Sequence, residues 1–107
     1  MTTVVVVDEA EAQLGECHAW WVANRGASPS LVLAEFERCV SLLASSPDVG
    51  HRFHRTQVPG VRRLVMTKTK HVVYYVHDET NAIVYVIAVW GAPKAGTPLL
   101  VDPRQAP

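Results

Sequence analysis

The spacing of apolar residues along this chain changes period twice, and the changes mark out its elements. Residues 4–7 are four valines in a row, a short β-branched run that predicts a buried strand. Over residues 9–24 the period becomes helical: Ala10, Leu14, Cys17 and Trp21 recur at steps of four, three and four and so share one face. Asp8 stands at the N-cap position, with Glu11 three residues on to complete a capping box, and Gly26 stands where a C-terminal cap belongs. A second stripe, Val32, Phe36, Cys39 and Leu43, repeats the same steps. Ser28 with Pro29 at the first helical position predicts its start, and Ser45, Ser46 and Pro47 its stop. With so few residues between them, the two helices are expected to form an antiparallel hairpin.

After a loop over 48–60 the period drops to two. Strands are expected at about 61–67, 70–77 and 83–90, the last two joined by the polar turn 78–81. Val72, Tyr74 and Val76 share one face of the middle strand, and Val73 and Tyr75 the other, so one tyrosine is expected in the core and one free to serve a site. Residues 84–90 are apolar on both faces except at Tyr85, which predicts the most central strand. The order is strand, helical hairpin, then a three-stranded antiparallel meander. This is an α+β fold with the helices packed on one face of a small sheet. The other face is then solvated or kept for a partner. One domain over 1–100 is expected, with an irregular, proline-punctuated tail over 101–107.

Charge sharpens this picture. The chain is formally neutral, with ten Lys and Arg against ten Asp and Glu. Residues 1–48 nevertheless carry seven acids against Arg25 and Arg38, while residues 49–77 contain no acid at all. That acid-free stretch holds Arg52, Arg55, Arg62, Arg63, Lys68 and Lys70, plus four of the five histidines. The positive charge therefore lies on the sheet, where it suits a polyanion or an acidic protein segment.

No apolar run approaches the roughly 20 residues of a membrane helix, and the opening residues lack the basic start of a signal peptide. The cytoplasm is the expected location, with Cys17 and Cys39 as buried thiols. The two cysteines are far apart in sequence, and His51, His54, His71 and His77 lack a carboxylate at ligand spacing. No metal or other cofactor is expected. Trp20 stands about 100° around the helix from Trp21, so its indole is expected to be at least partly exposed.

Three local patterns in this order resemble the RelE/ParE family of bacterial toxins from type II toxin–antitoxin modules. The first is AQLGECHAWWVANR over residues 12–25. The second is the helix over 34–43 followed by Ser46-Pro47-Asp48-Val49-Gly50. The third joins Pro59-Gly60-Val61-Arg62-Arg63-Leu64, His71-Val72-Val73-Tyr74-Tyr75 and Ala88-Val89-Trp90-Gly91-Ala92. Together they span about residues 4–100.

The resemblance implies a growth inhibitor neutralised by a cognate antitoxin. In the ParE branch the target is DNA gyrase; in the RelE branch the toxin cleaves messenger RNA on the ribosome. RNA cleavage needs a base, an acid and cations on the phosphate. If this chain is such a nuclease, Arg63, His71, Tyr75 and Lys94 are its candidates. RelE-type nucleases also carry an Arg and a Tyr or His near the last strand and tail. Here only Lys94 is charged in the residues just after Trp90 and Gly91, with no Tyr or His beyond. That departure favours a non-enzymatic ParE-like gyrase poison over a ribosome-dependent endonuclease. A non-catalytic nucleic-acid-binding module is the third alternative. For target binding the candidates are Arg62, Arg63, Lys68, Lys70, His71 and Lys94. For antitoxin binding they are Trp20 and Trp90.

Overall fold

The computed structural model describes residues 2–91 and 96–105. Strand β1 (Thr3–Val6) leads into helices α1 (Asp8–Asn24) and α2 (Leu31–Ser45). Strands β2 (His51–Arg52), β3 (Arg62–Met66), β4 (His71–Asp78) and β5 (Ile83–Trp90) follow, and Pro103–Gln105 forms a 3-10 turn. The strands make one sheet in the order β1-β5-β4-β3-β2. β1 runs parallel to β5, and every other pair is antiparallel. The expected α+β architecture, a helical hairpin on a small sheet, is the one observed. No helix among the described residues is long and apolar enough to cross a membrane.

The α2 stripe is buried as its spacing predicts: Val32, Phe36, Cys39 and Leu43 meet Met66, Val73, Tyr75, Val84, Val86 and Val89 of the sheet. In α1, Ala10, Cys17 and Trp21 are buried and Leu14 is partly buried, while Gln13 joins the buried face. The reason lies in the sheet. β1 ends at Val6, so β5 has no strand neighbour on that side beyond Val86. The Gln13 side-chain carbonyl accepts the Val89 N–H at 2.8 Å instead. Both cysteines are buried thiols outside any disulfide, and burial, with the nearby Glu35 carboxylate, pushes the Cys39 thiol up.

Several sequence expectations need correction. β1 is an edge strand with alternate residues exposed, because only β5 pairs with it. β4, not β5, is the middle strand, because β2 adds a fifth strand inside the expected 48–60 loop. The N-cap of α1 is Val7, whose carbonyl accepts the Glu11 N–H, so Asp8 lies within the first turn and no capping box forms. Asp8, Glu9 and Glu11 instead oppose the positive end of the helix dipole. The C-cap is Arg25 rather than Gly26, and α2 is capped at Ser30 rather than Ser28. The Ser28 carbonyl is engaged elsewhere, accepting the Trp21 indole N–H at 2.8 Å.

The largest correction concerns the far face of the sheet, which was expected to be solvated or open to a partner. It carries a second core of Val58, Val61, Tyr74, Val76, Ile87, Ala88 and Leu100. The β2–β3 loop and the C-terminal tail supply its cover. Phe53 packs edge-on to Tyr74 with ring centroids 5.1 Å apart. Arg104 pins the tail, donating to the Pro59 carbonyl at 2.6 Å and pairing with Asp102 at 2.9 Å.

One buried acid fixes the β3–β4 turn. Glu35 of α2 accepts the N–H groups of Lys68 and Thr69, both at 2.9 Å. Burial alone raises its pKa, but the Lys68 and Thr69 amides, helped by the nearby Arg38 charge, hold it below the usual carboxylate range. The stability it contributes is therefore present at neutral pH and is lost as pH falls through its depressed folded pKa. Glu35→Ala leaves the buried Thr69 amide and the part-buried Lys68 amide unpaired and is expected to cost about 2–3 kcal/mol at pH 7. That difference should shrink in acid, which denaturant melts at pH 7 and pH 3 will test. A pH-independent difference would contradict it.

Candidate functional site

The basic stretch is continuous in sequence but is divided in space. Register explains the division. Arg62 lies opposite Tyr75, on the helix side, and Arg63 opposite Tyr74, on the far side. Arg62 is half-buried, donates to the Gly50 carbonyl at 2.8 Å and approaches Asp48 at 3.8 Å. It is therefore largely committed within the chain.

Arg63 is exposed and helps line a cleft of about 420 Å³ together with Arg52, Phe53, His54, Arg55 and Thr97. β2 is a two-residue strand, and it places Arg52 opposite Arg62 and His51 opposite Arg63. Like charges directly opposite across a sheet are unfavourable by about 0.2–1 kcal/mol. The fold gains nothing from the Arg52–Arg62 pairing. Three guanidinium groups around one cleft are instead suited to binding phosphates or carboxylates.

Lys68 and Lys70 sit elsewhere, on the β3–β4 turn. With Trp20, Trp21, Arg25, Thr69 and His71 they line a second cleft of about 430 Å³ at the end of α1. Trp20 is 38% exposed, and the Arg25 guanidinium stands 6.0 Å from its ring centroid. Lys70 has φ of +66°, a left-handed conformation that costs a non-glycine residue about 1–2 kcal/mol. His71 closes the cleft from within. It is only 2% exposed, with its ring edge-on to Trp21. Burial lowers its pKa, against the opposing pull of the Glu35 charge and the Thr69 backbone.

Both tyrosines are buried, Tyr75 completely, so neither is left free for a site as the strand alternation had suggested. The Tyr75 hydroxyl accepts the Gly50 N–H at 2.8 Å, and burial pushes its pKa up. Each tyrosine has a core to enter because both faces of the sheet are covered. Lys94 lies outside the described residues. Trp90 is half-buried, donates its indole N–H to the Gly96 carbonyl at 3.1 Å, and lines a mainly apolar groove of about 580 Å³. Val7, Glu9, Gln13, Leu99, Val101 and Pro103 complete that groove. Glu9 and Gln13 belong to the start of α1 and Trp20 to its last turn, so Trp20 and Trp90 mark opposite ends of one helix.

The structure thus brings Arg63 together with Arg52, His54 and Arg55, and brings Lys68, Lys70 and His71 together with Trp20. It does not bring these two sets together. Arg52, His54, Arg55 and Arg25 are the site residues that the sequence reading did not single out. Composition had marked the first three as part of a basic stretch, but a two-residue strand is too short to leave a periodic signal.

Two helices on one face of a five-stranded mixed sheet with an arginine-rich edge define a small α+β protein. Comparison with known proteins makes this specific. Residues 4–94 match the family described as ParE toxin of type II toxin–antitoxin system, parDE. The chain belongs to this family of toxins. Among curated protein sequences none matches it. Its fold is similar to that in the structure titled "Chromosomal ParDE TA system from P. aeruginosa", with a TM-score of 0.65 and 18% identity over 85% of this chain and 96% of that one. It is also similar to the fold in "Crystal structure of the intact E. coli RelBE toxin-antitoxin complex", with a TM-score of 0.62 and 14% identity over 88% of this chain and 100% of that one.

Proposed function

We propose that this toxin arrests growth in the cytoplasm by binding DNA gyrase, and that a cognate antitoxin neutralises it. The observation that carries the reading is the composition of the Arg52, Arg55 and Arg63 cleft. It offers cations, but the two acid–base groups nominated from sequence, His71 and Tyr75, are buried away from it. A binding poison needs only a complementary surface, whereas nucleolytic catalysis needs a positioned acid and base. Antitoxin binding is supported by the two structural neighbours, both toxin–antitoxin systems, and by the exposed apolar groups Trp20, Leu99 and Val101.

One observation favours a second reading, a ribosome-dependent messenger RNA endonuclease. His54 lines the arginine cleft and is a candidate general base or acid. Inducing the wild type and His54→Gln in cells separates the two. Gyrase poisoning predicts DNA-damage signalling and filamentous cells with messages initially intact, and equal arrest by both proteins. Prompt codon-positioned cuts in a translated message, lost in His54→Gln, would assign the chain to the nuclease branch instead.

A further inference from the structure

We propose that Asp48, His77 and Glu79 form a binding site for one divalent transition-metal ion of the zinc class. This inference is independent of which target the toxin acts on. One ligand atom from each of the three side chains lies within 4.8 Å of the other two. It is the single such grouping of histidine, cysteine and carboxylate side chains among the described residues.

The histidine is what distinguishes this cluster from a pair of surface acids. His77 Nδ1 is buried and makes no hydrogen bond. It faces Asp48 Oδ1 at 3.6 Å, too long for a hydrogen bond. A buried imidazole nitrogen without a partner is costly, and an ion between it and the carboxylate removes that cost. In a tetrahedral site with bonds of about 2.0–2.1 Å, neighbouring ligand atoms are about 3.4 Å apart. The Asp48–His77 edge already has nearly that length. Glu79 lies on the exposed β4–β5 turn, so its carboxylate has room to close the third corner and solvent to fill the fourth.

Arg62 lies 3.8 Å from Asp48 Oδ1 and is itself held by the Gly50 carbonyl, so its positive charge opposes a cation here and is outweighed by the two carboxylates. One imidazole and two carboxylates, with no thiolate, suit zinc, cobalt, nickel or manganese over calcium or magnesium. The three donors come from separate places: the turn after α2, the end of β4 and the following hairpin. Spacing could not reveal this, because Asp48 precedes His77 by 29 positions. A bound ion would staple the α2–β2 turn to the hairpin. That turn carries Gly50, whose carbonyl accepts from Arg62 and whose N–H donates to the Tyr75 hydroxyl.

Titration of the chelator-treated full chain with zinc chloride, followed by calorimetry, tests this, with cobalt(II) absorption as a spectroscopic check. One equivalent should bind, and cobalt should give the visible bands of nitrogen and oxygen ligation without a thiolate charge-transfer band. Zinc at about 100 times Kd should raise Tm by roughly 10 °C. Glu79→Gln, at an exposed position, and His77→Gln should each weaken binding at least about tenfold. The His51→Gln/His54→Gln double variant should bind as wild type does. Absence of binding to the wild type, or unchanged binding to correctly folded Glu79→Gln, overturns the site. Loss of binding only in the His51→Gln/His54→Gln variant places the ion elsewhere and also overturns it.

Discussion

Changing both Arg52 and Arg63 to Glu is expected to abolish growth arrest while leaving the protein folded. Both residues are exposed and line the arginine cleft, and neither side chain makes a hydrogen bond or ion pair among the described residues. Placing a carboxylate opposite Arg62 turns an unfavourable cross-strand pair into a favourable one, so Arg52→Glu should be neutral or stabilising by a few tenths of a kcal/mol. Against an anionic target the same change replaces attraction by repulsion, and like-charge contacts at an interface cost several kcal/mol. Plating efficiency on induction and a thermal melt of the purified variant measure the two effects separately. A folded variant that still arrests growth would remove this cleft from the function. Lys68→Glu with Lys70→Glu then becomes the informative pair, because it alters only the cleft beside Trp20.

Gly50→Ala should be among the most damaging single substitutions in the chain, at about 3 kcal/mol or more, equivalent to a loss of at least roughly 12 °C in Tm. A Cβ at this buried position would stand 2.7 Å from the Arg63 carbonyl oxygen and 2.8 Å from the Tyr75 hydroxyl. The hydroxyl belongs to a ring wedged in the core, and the carbonyl belongs to the β3 backbone, so neither gives way cheaply. Tyr75→Phe supplies the comparison. It deletes the hydrogen bond to Gly50 and should cost about 1–3 kcal/mol by leaving a buried N–H unpaired. Adding Tyr75→Phe to Gly50→Ala removes the hydroxyl clash but leaves those with the Arg63 carbonyl oxygen and with ring carbon Cε1 of residue 75 at 2.9 Å, so the double variant should not recover wild-type stability. Calorimetry of the three proteins decides the matter. A Tm for Gly50→Ala within about 3 °C of the wild type would mean that the loop moves aside at little cost.

Those two predictions rest on features of unequal legibility. The α2 stripe was fully readable because a 3.6-residue period over four apolar positions has no competing explanation. The β4–β5 hairpin was readable for the same kind of reason, with Asp78 and Asn81 closing its turn. The helix starts were not. Val7 caps α1 with a backbone carbonyl, and no rule of side-chain capping singles out a valine. Gln13 interrupts an apolar stripe because an unpaired β5 amide awaits it 76 residues away. Glu35 is buried for a similar reason, against amides more than 30 residues distant. The candidate site was legible as charge but not as geometry. Sequence counted the cations correctly, yet strand register sends Arg62 and Arg63 to opposite faces, and Arg63 alone of the two lines the cleft with Arg52 and Arg55. Burial of Tyr74 depended on a second core whose cover, Phe53, Val58 and Leu100, comes from segments with no periodic pattern, whereas Tyr75 lies in the core beneath the helices and His71 packs against Trp21 of α1.

The parallel pairing of β1 with β5 also has a bearing on how the toxin comes into being. Thr3 aligns with Ile83, so the first strand made must wait for 80 further residues before it has a neighbour. At about 5–20 residues per second, that is roughly 4–16 s of translation during which the N-terminal valines remain unpaired. Such a wide sequence separation places the closing step of folding late, since loop-closure entropy has to be met before the contact repays it. The chain therefore emerges without its parallel strand pair, and its N-terminus stays a loose end until β5 has been made.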